Sequence, residues 1–283
     1  MNLVDERFEL CSLIFRLMPY EQYTGHNDKK TEYQQKLNKT FGKFATHPAV
    51  EYATSIRIGF DAAGMFALHM VKRDGRFYMM DDLTTIFRDI RLTNELIETF
   101  LPLVNDFYFD SEFESFFNSH MSFYEKETKK FVNAGYSKFD LTWFEKYIGE
   151  SKLNVIYSPS IEGNYGCTAG NNIYAIVPRG DALVHEFCHH FANPIADNWY
   201  ETNDDFKRLC DESVNTVKHP WYPRGEIIAR EYVTRAYDVL YQVQHDGNFD
   251  ELIKCDVFVY MKQVYDMILQ LETSGGESKC QSS

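Results

Sequence analysis

His185-Glu186-Phe187-Cys188-His189 spells H-E-x-x-H, the pattern in this chain whose residue types and spacing could do chemistry. On a helix, residues i and i+4 lie one turn apart on one face, so His185 and His189 can hold a single metal ion together. Glu186 is turned about 100° from His185, which puts its carboxylate beside the ion and not on it. From there it can take a proton from metal-bound water, the chemistry of metal-assisted hydrolysis. Val184, Phe187, Cys188 and Phe191 form an apolar stripe on the other face. Burying that stripe leaves the histidines for a cleft. Cys188 reads as a small buried apolar residue, since its thiol points away from the histidines.

A catalytic site of this kind keeps three protein ligands and one open position. His190 points about 100° away from His189, so the third ligand must come from further downstream. Glu212, Glu226 and Glu231 are the candidates. A helix expected over about 225–244 buries Ile228, Tyr232, Ala236, Val239 and Val243 and puts Glu226 and Glu231 at opposite rims of that stripe. The helical wheel does not choose among the three. Candidate supporting groups or donors to an oxyanion are Arg235, Tyr232 and Tyr222, with His219 and His190 as further options. Tyr165 and Tyr174 are candidates for the substrate rim.

These residues need elements to place them. Residues near 4–18, 31–44, 92–105, 111–124 and 140–148 read as helices, the first with Phe8, Cys11, Ile14 and Leu17 on one stripe. After Gly149 the pattern changes. Residues 153–158 read as a strand, 159–172 as a turn-rich stretch, and 173–177 as an edge strand closed by Pro178. Asp181 is the expected N-cap of the motif helix, which Asn193-Pro194 should end. Helices over about 225–244 and 250–271 follow. The expected division is a helical N-terminal lobe over 1–149, a lobe with a short sheet and the motif helix over 150–272, and a disordered tail over 273–283, all one integrated unit. An extended peptide could join the edge strand by strand addition. The fold class is α+β and mostly helical.

Several features read as ordinary structure. Phe107, Tyr108, Phe109, Phe113, Phe116 and Phe117 suit packing between helices. His47 and His69 suit packed or solvated positions. Gly163-Asn164-Tyr165-Gly166 lacks the Gly-Lys-Ser/Thr of a phosphate loop and reads as a turn. His219-Pro220-Trp221-Tyr222-Pro223 reads as a rigid aromatic turn.

Composition sets the outer bounds. The 283 residues carry 29 Lys+Arg against 42 Asp+Glu, a net charge of −13. That sign argues against nucleic acid as a partner, because phosphate binding rests on Lys and Arg. No apolar run reaches the ~18–20 residues of a membrane span. The 6 cysteines include no C-x-x-C pair and read as mostly free thiols in a reducing compartment. The N-terminus has acidic residues where a signal peptide needs a basic and then an apolar region. The expected location is cytoplasmic as written, or exported if the N-terminus is truncated.

The chain to about residue 272 resembles a bacterial family of zincin-like metallopeptidases classed as a domain of unknown function. The matching stretches are Val4–Leu10, Phe44–Val50, Gly163–Gly166, His185–His189 and Glu231-Tyr232-Val233-Thr234-Arg235-Ala236. The resemblance implies a zincin-like fold, Glu231 as the third ligand and Arg235 as its neighbour. It supports a zinc peptidase with one Zn²⁺ per chain, Glu186 as general base, and a peptide or protein substrate. The alternative from a different class is a catalytically inactive zincin-fold metal-binding or interaction protein. Glu186 speaks against it, because a purely structural site has no need of a base.

Overall fold

In the computed structural model, residues 3–19, 31–56, 62–80, 93–161, 163–169, 171–218, 222–254 and 257–274 are described, with only the backbone of residues 169 and 181. The protein is α+β and mostly helical, with two short sheets among these residues. Its contacts group into two units, 1–138 with 153–181 and 139–152 with 182–283. The three-stranded sheet from Leu153 onward thus belongs with the N-terminal helices and not with the motif helix.

The first unit is built around α1 (Glu6–Arg16). Asp5 accepts from Arg7 N at its start, satisfying a free amide of the first turn. Every residue from Phe8 to Arg16 is buried, polar ones included, so α1 is enclosed all round and not along one stripe. α2 (Glu32–Phe41) opens with a Thr31/Gln34 capping box. α3 (Pro48–Ile56), α4 (Ala62–Leu68) and α5 (Asn94–Asp110) pack on α1. His47 Nδ1 accepts from Ala49 N at the start of α3, a structural role.

The N-terminal lobe is not purely helical. β1 (Met70–Arg73) and β2 (Arg76–Met79) form an antiparallel hairpin. Its two linking residues, Asp74 and Gly75, sit at φ 48° and 76°, the conformation that a two-residue Asp-Gly turn favours. Asn105 on α5 accepts from Phe77 N and donates to Phe77 O, tying helix to hairpin. The expected helix over 111–124 is two, α6 (Phe113–Ser119) and α7 (Met121–Ala134), broken at His120. Most of the aromatic run packs as core: Phe107, Tyr108, Phe113 and Phe117 are buried, while Phe109 is exposed.

β3 (Lys152–Tyr157), β4 (Tyr165–Ala169) and β5 (Asn172–Val177) form the second sheet in the order β3-β5-β4. This corrects the edge-strand expectation: β5 is central. β4, expected as part of a turn-rich stretch, pairs antiparallel with β5 from Tyr165↔Ile176 to Ala169↔Asn172. Pro178 follows the last strand residue, so it removes no ladder donor from β5. Ile173, Ala175, Ile176 and Val177 are buried accordingly.

The second unit contains α8 (Leu141–Ile148), α9 (Leu183–Thr202), α10 (Asp204–Val217), α11 (Gly225–Gln244), α12 (Phe249–Leu252) and α13 (Met261–Thr273). α11 is the hub, packed by α9, α10, α12 and α13. α9 carries the motif. Its N-cap is Ala182, with no side-chain cap, and the side chain of Asp181 lies outside the described residues. α9 also continues through Pro194, where the sequence suggested a stop. The missing Pro N–H costs about 3 kcal/mol in a helix interior, and tertiary contacts beyond it hold the last turns. Arg230 donates to both carboxylate oxygens of Asp197 at 2.7 and 2.9 Å, and Trp199 meets Phe206 edge-on at 5.6 Å. The expected helix over 250–271 is divided into α12 and α13. No helix among the described residues is long and apolar enough to cross a membrane. Cys11, Cys167, Cys188 and Cys210 are buried free thiols; Cys255, Cys280 and the tail from 275 lie outside the described residues.

Candidate metal centre

The apolar face of α9 is buried as its sequence implies. Phe187 and Cys188 have no exposed surface, and Phe191 stacks on Tyr147 at 4.2 Å. That burial fixes the helix rotation and turns His185 and His189 toward α11. Their Nε2 atoms stand 3.1 Å apart. Glu231 on α11 completes a triangle, with Oε2 3.6 Å from His185 Nε2 and Oε1 3.6 Å from His189 Nε2. It is the one group of three metal-ligating side chains found among the described residues.

The size of the triangle suits an ion. Tetrahedral bonds of about 2.0–2.1 Å place their donors roughly 3.3–3.4 Å apart, close to the 3.1 Å between the two imidazole nitrogens and to the 3.6 Å from each of them to its nearer Glu231 oxygen. The buried Glu231 Oε2 makes no hydrogen bond. Arg235 Nη2, one helical turn on, forms an ion pair with it at 3.2 Å. His185 is held well below its ordinary pKa, first by burial, then by His189 and Arg235. Its imidazole is therefore neutral at neutral pH, the form that donates a lone pair to a metal.

The other candidates divide cleanly. Glu186 is 3% exposed, and its Oε1 lies 4.0 Å from His185 Nε2, beside the triangle and outside it. Glu212 is occupied elsewhere, accepting from Tyr260 Oη and pairing with Arg208 on the exposed side of α10. Glu226 is exposed in the first turn of α11. Tyr232 does not serve the centre: it is fully buried, and its hydroxyl meets Ser213 Oγ at 2.9 Å and accepts from Tyr260 N.

Tyr222 is close to the centre. Its hydroxyl is pushed up to about 12 by burial and by the negative charge of Glu231, with Arg235 acting against them through charge and a hydrogen bond. Its ring meets Phe258 at 5.8 Å, and Phe258 also lies 4.6 Å under the Arg235 guanidinium. His219, Pro220 and Trp221 lie outside the described residues. Burial lowers the pKa of His190, which is not one of the clustered ligands. Tyr165 and Tyr174 belong to the first unit. Tyr165 is buried there against Gly64, where any Cβ would overlap its ring, so it is a packing residue. Tyr174 pairs across the sheet with Cys167.

Two residues not expected at the site from the sequence also meet the centre. His189 Nδ1 lies 3.0 Å from Asn193 Oδ1 and 3.1 Å from Thr234 Oγ1. Asn193 continues the i, i+4 series of the two histidines, and Thr234 is three residues past Glu231. Helix periodicity could have flagged both.

No family model matches the chain, and neither a curated protein nor a solved structure matches it significantly. The zincin-like resemblance rests on the residue motifs alone.

Proposed function

We propose that this chain is a zinc-dependent peptidase of the H-E-x-x-H plus Glu type, with a zincin-like second unit. The observation that carries the reading is the His185/His189/Glu231 triangle with Glu186 buried beside it. Two imidazoles and a carboxylate suit zinc best among common metals. Bound there, zinc would bring the pKa of a water toward ~7 and polarise a peptide carbonyl.

The chain's own residues supply the rest. Glu186 accepts the proton of the attacking water and passes it to the departing amine. Its burial keeps competing solvent off the carboxylate. The Tyr222 hydroxyl stays protonated at neutral pH and serves as the hydrogen-bond donor to the developing oxyanion. Arg235 holds Glu231 in place through its ion pair. The substrate is a peptide or protein.

The test is metal content by mass spectrometry on wild type beside Glu231→Ala, Glu226→Ala and Glu212→Ala, followed by a peptide-library screen. One zinc per chain, lost only in Glu231→Ala, together with cleavage of library peptides, supports the proposal. Wild-type protein that stays metal-free after zinc is offered overturns it. Full zinc occupancy without any cleavage would leave a metal-binding scaffold in its place.

A further inference from the structure

The two helices that supply the ligands each contribute one more polar group, and both groups converge on the far nitrogen of one ligand. His185, His189 and Asn193 follow one another at i, i+4 and i+8 along α9, a single helix face. Glu231 and Thr234 share the facing side of α11 at i and i+3. Asn193 Oδ1 and Thr234 Oγ1 both lie within hydrogen-bond reach of His189 Nδ1. The opposite nitrogen, Nε2, is the one in the triangle.

We infer that Asn193 and Thr234 are positioning residues that lock His189 as a ligand through Nε2. This rests on the metal-centre reading above. A neutral imidazole carries one proton, so a ring that ligates through Nε2 must bear its hydrogen on Nδ1. The amide oxygen of Asn193 only accepts, so it fixes that hydrogen on Nδ1, and the Thr234 hydroxyl, placed to share it, helps to hold the ring plane. Thr234 has no exposed surface, and a hydroxyl taken out of water needs a partner. Its described partner is His189 Nδ1. A residue needed only to fill space at 234 could equally be valine, which has the same shape and nothing to offer the ring.

The experiment measures zinc affinity by chelator competition on the full chain for wild type, Thr234→Val, Asn193→Ala, the double variant and Thr234→Ser. NMR of the zinc-loaded protein then follows the Nδ1–H of His189. Supporting bonds to metal-ligating histidines are typically worth about 10–100-fold in metal affinity. The expected result is a loss in that range for Thr234→Val and Asn193→Ala, a larger loss in the double variant, and recovery with Thr234→Ser. Wild type should show a slowly exchanging Nδ1–H that Thr234→Val makes exchange faster. Circular dichroism confirms that each variant is folded before it is titrated. Folded variants that bind zinc within about twofold of wild type would overturn the inference while leaving the metal centre intact. A wild type that binds no zinc would instead overturn the reading on which the inference rests.

Discussion

The Glu186 carboxylate lies 4.0 Å from His185 Nε2, next to a ligand in sequence and in space, yet outside the triangle that His185 forms with His189 and Glu231. On the proposed reading, this separation gives Glu186 the task of base and not of ligand. Glu186→Gln should keep zinc at wild-type occupancy and reduce peptide hydrolysis by about 10²–10⁴-fold, the usual worth of a positioned base. Metal analysis and turnover on the same preparation check it. A fully active Glu186→Gln protein would end its role as base.

A second prediction concerns the first unit and the buried Glu9. Ser158 and Ser160 donate to Glu9 Oε1 at 2.5 and 2.9 Å, and Tyr33 donates to Oε2 at 2.9 Å. Burial raises the Glu9 pKa, and these hydrogen bonds offset only part of that rise. A carboxyl whose folded pKa is raised binds its proton more tightly in the folded state. Stability is therefore lost as pH climbs from the ordinary carboxylate value toward the folded one. Glu9→Gln lacks this dependence. Urea denaturation at about pH 5 and about pH 8 should show wild type losing ground to Glu9→Gln at the higher pH. An advantage for wild type that grows with pH would mean that the hydrogen bonds outweigh burial.

The third prediction is a pH window in the second unit. His245 Nε2 lies 3.1 Å from Asp140 Oδ2, and His245 Nδ1 donates to Tyr241 O at 2.7 Å. The Tyr241 carbonyl and Asp140 raise the His245 pKa despite some desolvation. Asp140 is lowered to about 2, first by Thr142 and then by His245. The histidine's contribution is complete below its unfolded value of about 6.5 and fades as pH rises through the raised one. The aspartate's contribution is complete above about 3.9 and fades as pH falls toward 2. The pair therefore stabilises most between about pH 4 and 6.5. The difference in urea midpoint between wild type and His245→Gln should be widest near pH 5.5 and close by about pH 9. A difference independent of pH would show that the ring packs without its charge mattering.

What could be read from the chain followed the range of each interaction. His185, Glu186 and His189 lie within one helical turn, so their relative placement is fixed by local geometry and was legible. Glu231 was one of three candidates, because choosing it requires knowing how two helices pack. The structure brings Glu231 beside the two histidines, gives Glu212 to Tyr260 and Arg208, and leaves Glu226 in solvent. Tyr232 was visible as part of the buried stripe, yet the destination of its hydroxyl at Ser213 was not. β5 looked like an edge because its partner, Tyr165–Ala169, is short and sits among glycines and turn residues. Asp74-Gly75 was a readable hairpin signal that the helical surroundings concealed. Pro194 marks a helix end by local preference, and the packing of Trp199 and the Arg230–Asp197 pair overrides it.

The division of the donor set between α9 and α11 also orders events in time. A helix spanning His185 to His189 can form from its own residues, but a lone helix of this length is marginal in water. At that stage it offers an ion two imidazoles and nothing more. Glu231, Thr234 and the ion-paired Arg235 arrive together when α11 docks. The complete set of donors thus exists only in chains whose second unit has finished packing. A nascent or partly unfolded copy has the motif without the cluster, so on the proposed reading it would hold no catalytic metal until the fold that houses the site is in place.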